Sequence, residues 1–309
     1  MKKILFFILV FVCSLTYSQQ DAQYTQYMYN MSIINPAYAT SDFYNMNLGL
    51  LHRQQWLGMD GSPSTTTLFS HYAINDKTEM GLSFFNDNIG NVLSENKLSV
   101  DYAYVLNLDS YNKLSLGLKG GINMLNLNFD NFKLESGDQY SDDLFAVNQS
   151  QLYPNIGAGF FYYSKEKYLG FSIPNFVKSS YIKKIDNIYS KSSEEVHMYL
   201  TGGYVFELDR QNMKLKPSFM AKATDGSKIA IDIAMNAQFN ENFELGLSYR
   251  INNSVSALAN IYVTDNLRIG YSYDYTLNNL TKFNSGSHEL VLLYDVNLFG
   301  TNSKSPRFF

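Results

Sequence analysis

Apolar and polar residues alternate along much of this chain. From Leu267 to Tyr275 the odd positions are Leu267, Ile269, Tyr271, Tyr273 and Tyr275, and the even ones are Arg268, Gly270, Ser272 and Asp274. A β-strand turns successive side chains to opposite faces, so each set lies on one face. The same period places Phe243, Leu245, Leu247 and Tyr249 opposite Glu244, Gly246, Ser248 and Arg250. It recurs from Ile229 to Phe239, from Leu114 to Lys119 and from Leu98 to Asn107. Read throughout, the pattern predicts fourteen strands, near 45–56, 64–74, 77–86, 95–107, 112–127, 153–163, 167–173, 196–207, 213–223, 228–239, 242–251, 254–263, 266–276 and 287–297.

A soluble sandwich also alternates, and three further features favour a membrane barrel. Most of the strands reach the nine to eleven residues that span a bilayer at a tilt of about 45°. The polar faces carry Gly, Ser, Asn and charges of both signs, as a wet lumen does. Aromatics gather toward strand ends, where interfacial girdles sit. The connections agree. Short turns follow even-numbered strands, and longer ones at 57–63, 87–94, 128–152, 174–195 and 277–286 follow several odd-numbered strands. Short turns face the periplasm in such barrels and long loops face outward. The fold class expected is all-β: a transmembrane, antiparallel up-and-down β-barrel.

The two ends of the chain add to this. Lys2 and Lys3 precede an apolar run from Ile4 to Val12, the form of a signal peptide and too short to span a bilayer. Cleavage is expected after Ser18, leaving Gln19 first and an outer-membrane destination. Cys13 is the one cysteine, and Val12 before it does not suit lipidation, so the mature chain has no thiol chemistry. The expected organisation is a signal peptide at 1–18, an N-terminal periplasmic or plug segment at 19–44, and a barrel at 45–309. Within 19–44, Tyr24, Tyr27, Met28 and Met31 fall at i, i+3, i+4 and i+7, one stripe of a helix, which Asn35-Pro36 ends. That helix suits a lid on the periplasmic mouth, a plug in the lumen or a docking segment for a partner. At the other end, Phe309 is an aromatic C-terminus of the kind that aids barrel insertion.

Composition narrows the function classes. The formal net charge is −4, charged residues are 17% and aromatics 16% of the chain. A near-neutral chain without basic clusters is a poor nucleic-acid binder, and so many Tyr and Phe do not suit disorder. The histidines, His52, His71, His197 and His288, lie on separate predicted strands, without the convergent spacing of a metal site. Ser70 and His71 point to opposite faces, so they form no catalytic pair. Asp138, Asp142 and Asp143 cluster in a loop but lack the EF-hand spacing of a calcium site. No catalytic residue, metal site or cofactor is assigned, and no enzyme activity is expected. The inward charges Asp232, Glu244, Arg250, Arg268 and Asp274 either pair across the lumen or line an ion path; their mixed signs favour pairing.

The opening of the mature chain carries a resemblance. Gln23-Tyr24-Thr25-Gln26-Tyr27-Met28-Tyr29-Asn30, then Ile34-Asn35-Pro36-Ala37-Tyr38-Ala39, resembles the start of the PorP/SprF family. Arg53 to Gly58, Asp60 to Pro63 and Thr65 to Thr67 are similar to that family's first hairpin, and Ser305 to Phe309 to its terminus. The resemblance implies a non-enzymatic outer-membrane barrel of the type IX secretion and gliding system of Bacteroidetes. Its implied partners are secretion-machinery components and secreted surface proteins such as adhesins, in outer-membrane lipid. Tyr24, Tyr27, Tyr29 and Trp56 are then the candidate partner-binding residues. The alternative function is a FadL-like transporter of hydrophobic solutes, which requires a greasy pocket reached through the wall.

Overall fold

The structure, a computed structural model, describes residues 23–40, 42, 45–130, 148–177, 180–185, 188–193, 196–208, 212–224 and 227–298. The signal segment, the Asp138 to Asp143 loop and Phe309 lie outside the described residues. In chain order the strands are β1 (Asn45–Gln54), β2 (Ser64–Asn75), β3 (Thr78–Ile89), β4 (Leu93–Asn107), β5 (Lys113–Leu127), β6 (Gln149–Tyr163) and β7 (Lys167–Ile173). Then come β8 (Ser180–Ile185), β9 (Ile188–Ser193), β10 (His197–Tyr204), β11 (Phe206–Leu208), β12 (Met213–Thr224) and β13 (Ala230–Phe239). The wall ends with β14 (Phe243–Arg250), β15 (Ser254–Tyr262), β16 (Leu267–Thr276) and β17 (Ser287–Asn297).

Wall strands adjacent in sequence pair antiparallel, and β1 pairs β17 from Asn45↔Asn297 to Gln54↔His288, which closes the barrel. The fourteen expected wall positions are present. The eighth is broken: β10 and β11 both pair β12 in one continuous register, and Val205 between them donates its N–H to the Glu166 carbonyl (2.6 Å).

Which face is which follows from exposure. Leu98, Val100, Tyr102, Tyr104 and Leu106 stand outward and exposed, while Ser99, Asp101 and Ala103 between them are buried. On β14, Leu247 is 64% exposed and Glu244 and Arg250 are buried. This outward surface is far more apolar than a soluble monomer tolerates. It is the lipid face of a barrel.

Three expectations are corrected. Residues 87–94 are not a long loop, because β3 and β4 run on to a tight turn at Gly90 (φ +61), whose N–H binds the Gly61 carbonyl (2.9 Å). The connection at 174–195, expected as a longer loop, contains the β8–β9 hairpin. The first strand stops at Gln54, so Trp56 lies in the following turn rather than on the wall.

The rim at the long-loop end is uneven. β4, β5 and β6 have 15 residues each, whereas β14 has 8 and β15 has 9. At the opposite end the turns are tight. In one of them Asp109 accepts from the N–H groups of Tyr111 and Asn112 (both 2.7 Å) and from the Asn112 side chain (2.8 Å). Those bonds, the Asn112 side chain foremost, hold the Asp109 carboxyl below its ordinary range.

Candidate functional site: a plugged lumen

Residues 23–40 fill the lumen. The expected continuous helix is absent: a 3-10 turn at Tyr27–Tyr29 and a single helical turn at Met31–Ile34 are joined at Asn30. A helix suits a surface with one apolar stripe. Here Tyr24, Tyr27, Met28, Tyr29 and Met31 are all buried, and the wall meets them on every side with polar groups and with apolar ones such as Leu51, Phe161, Met220 and Val291. Compact turns let side chains reach out in all directions. The segment is therefore a plug, not a lid.

The plug threads the height of the barrel. At the long-loop end of β14, Arg250 donates to the Gln23 side chain (2.6 Å) and the Tyr24 carbonyl (3.2 Å) while gripping Asp232 (2.7 and 2.9 Å). At the short-turn end, the Tyr29 hydroxyl donates to Glu244, and the Thr40 N–H donates to Glu79 (2.8 Å). Asn35-Pro36 does mark a reversal: the Asn35 side chain accepts from the Ala37 N–H (2.9 Å) and donates to the Phe160 carbonyl of β6 (3.0 Å).

Its firmest hold is a charge cluster on β1, β16 and β17. The Arg53 guanidinium meets Asp274 at 2.6 Å and Glu289 at 3.1 Å, with all three side chains buried. One cation between two carboxylates leaves negative charge uncompensated, which a buried site does not tolerate. The plug supplies the remainder. Glu289 accepts the N–H groups of Thr25 (2.9 Å) and Gln26 (2.7 Å), and the Thr25 hydroxyl donates to Asp274 (2.6 and 2.7 Å). Wall and plug thus complete one another's polar shells.

Of the expected partner-binding residues, Tyr24, Tyr27 and Tyr29 face the wall. Tyr24 shares a hydrogen bond with Thr67 (3.0 Å), and Tyr27 donates to Ser218 (3.4 Å). The Tyr29 ring lies within cation–π reach of Arg268 (5.1 Å) and Lys216 (5.6 Å). The structure does not bring Trp56 to them. It sits half-buried at the long-loop rim, its N–H donating to the Ser287 hydroxyl (3.1 Å), with φ +47.

Other inward groups pair as neighbours rather than as an ion path. His71 meets Glu79 (2.7 Å), and Lys119 meets Asp101 (3.0 Å) and donates to the Ser32 carbonyl (3.3 Å). Among the described residues no three His, Cys, Asp or Glu side chains converge as a metal site. Arg53 entered the sequence reading only as part of a motif, and Glu289 not at all. The available signal was parity: Glu289 alternates with outward Leu290 and Leu292, a carboxylate on the inner face of an apolar strand.

The profile of the type IX secretion system membrane protein PorP/SprF matches residues 16–294. The chain belongs to the PorP/SprF family. No curated protein sequence matches it. Among solved structures, a deletion mutant of the monoaromatic hydrocarbon channel TodX is similar at TM-score 0.50 and 10% identity, over 87% of this chain and 94% of that one. The Pseudomonas putida toluene transporter TodX follows at 0.48 and 13%, over 87% and 94%. The Acinetobacter baumannii outer membrane protein Omp33 stands at 0.46 and 8%, over 82% and 98%. The first likeness speaks for the outer-membrane barrel fold alone. For this PorP/SprF member, the plugged lumen is the feature on which a functional reading turns.

Proposed function

We propose that this PorP/SprF barrel is a non-enzymatic assembly component of the type IX machinery in the outer membrane, supporting secretion or surface anchoring of partner proteins. The observation that carries this reading is the filled lumen. A plug tied to the wall by charged and neutral groups along its length suits a rigid platform better than a conduit. The free spaces beside it are small, about 80 Å³ each, and mix apolar residues such as Met28, Phe69, Ile34 and Phe85 with His71, Arg268, Lys97 and Lys119. Spaces of this size fall well short of the roughly 300–1,000 Å³ of a small-molecule pocket, which the alternative, FadL-like function needs.

Tyr24, Tyr27 and Tyr29 then serve partners indirectly, by fixing the plug, and Trp56 serves directly, at the rim. A bulky residue at positive φ is uncommon and strained, and such strain gathers at functional positions. The test is a deletion strain. Display or secretion of one or a few surface proteins should be lost while uptake of hydrophobic solutes persists. Complementation with Trp56→Ala, at matched barrel abundance, should restore export only in part. Lost solute uptake with normal export would favour the transporter.

A further inference from the structure

Among the described residues the wall has an open edge. β6 pairs β5 over its full length, from Leu127↔Gln149 to Lys113↔Tyr163, but pairs β7 only from Ala158 to Tyr163. The half from Gln149 to Gly157 keeps its extended shape with no strand on its other side among the described residues.

The reason lies where β7 ends. A Cβ on Gly157 would sit 2.2 Å from the Pro174 carbonyl oxygen. Gly157 has inward parity, so the chain leaving β7 crosses over it on the lumen side, which only glycine permits. It does not continue upward beside β6. The Phe176 N–H reaches back to the Ile156 carbonyl (2.7 Å), and the segment then lines the lumen through Pro174 and Asn175. The hairpin that follows, β8–β9, is a separate sheet.

Backbone parity tells which groups are left. Even residues of β6 point away from β5, as the bonds of Ser164 and Ile156 show. Ser150 and Leu152 therefore direct an N–H and a carbonyl each toward the open side, and Pro154 directs a carbonyl alone. The height matters too. Leu152 stands opposite Met124 and Pro154 opposite Ile122, both exposed outward residues of β5's apolar belt, and Leu152 itself is 69% exposed. An unpaired sheet edge at the margin of hydrocarbon is costly, since lipid offers no hydrogen bonds.

We propose that this edge of β6 is a docking strand, to which an extended segment of a partner protein adds. The proposal rests on the reading that the barrel serves partner proteins, and names the surface. A strand matches the unpaired groups, which an apolar solute or an acyl chain cannot satisfy. The fitting segment is amphipathic with period 2, about five residues long. Its apolar side chains stand beside Leu152 and Ile156. Its polar ones stand on the inner side near Tyr153, whose hydroxyl donates to Glu95 (2.8 Å), itself paired with Lys97 (3.1 Å). Pro154, lacking a donor, restricts the register and guards the edge against indiscriminate pairing.

The test uses the full chain in native cells with a photo-crosslinking amino acid at Ser150, and at Leu247 on the low side as control. Irradiation should give a protein adduct at Ser150 and none at Leu247. Leu152→Pro removes an open-side N–H without touching the β5 ladder. It should lower the adduct about three- to tenfold relative to Leu152→Ala, with barrel abundance and heat-modifiability unchanged. Adducts only within the chain or to lipid, or no adduct, in cells whose deletion strain does lose export, overturn the docking strand and leave the assembly reading standing. Normal export in the deletion strain overturns the assembly reading itself.

Discussion

Half of the barrel, β12 to β17 with β1, meets the plug with charged side chains: Arg53, Asp274 and Glu289 around Thr25 and Gln26, Arg250 at Gln23, and Glu244 at Tyr29. The other half, β2 to β7, relies more on neutral contacts. There Ser172 donates to the Ile34 carbonyl (2.8 Å) and Asn35 to Phe160 (3.0 Å), with Lys119 and Glu79 as the charged exceptions. The second half is also the taller and carries the open edge of β6. The difference separates two tasks. A low, charge-rich half anchors residues 23–29, and a tall, more loosely tied half presents a surface.

The largest effect should come from the anchoring half. Arg53→Ala leaves two buried carboxylates without their cation, which should cost about 3–5 kcal/mol. Lys119→Ala strands Asp101 alone and should cost less. Unfolding followed in lipid by the shift between folded and unfolded gel mobility checks the ranking; equal losses would erase the contrast between the halves.

Next come the two faces of β14. Leu247→Arg places a charge in the bilayer and should destabilise by roughly 2–4 kcal/mol, while Ser248→Arg, pointing inward, should cost less. Comparable folding of the two variants in lipid would mean that the assigned faces are wrong.

A smaller effect separates two threonines of the plug. Thr25→Val removes a hydroxyl bonded to buried Asp274, worth about 1.5–3 kcal/mol for a charged partner. Thr40→Val removes two longer bonds, one donated to Glu79 (3.3 Å) and one accepted from the Asp42 N–H (3.2 Å), while the Thr40 N–H keeps its own bond to Glu79 (2.8 Å). Limited proteolysis should nick the plug of the first variant sooner. Identical cleavage would show that residues 23–29 are no more firmly held than Thr40.

The wall was legible in the sequence because lipid outside and polar groups inside enforce a strict period of 2, as at Leu98 to Leu106. What interrupts that period was not. Val205 alternates as any strand residue does, yet the ladder breaks beside it, and before the turn at Gly90 the polar run Asn86-Asp87-Asn88 reads as loop. The plug misled for a physical reason. Tyr24, Tyr27, Met28 and Met31 match a helical stripe by spacing, but a closed lumen contacts the segment on all sides, with polar and apolar groups alike, and rewards turns. The charge cluster escaped because its members, Arg53, Asp274 and Glu289, come from three strands that only barrel closure brings together.

Amide hydrogen exchange of the wild-type barrel in lipid tests the central claim, that residues 23–40 are bound into the lumen and held hardest by the low half. The N–H groups of Thr25 and Gln26, bonded to Glu289, should be protected to the level of the β16 and β17 ladder, and longer than that of Thr40. Exchange of Thr25 and Gln26 at the rate of free chain would contradict the account.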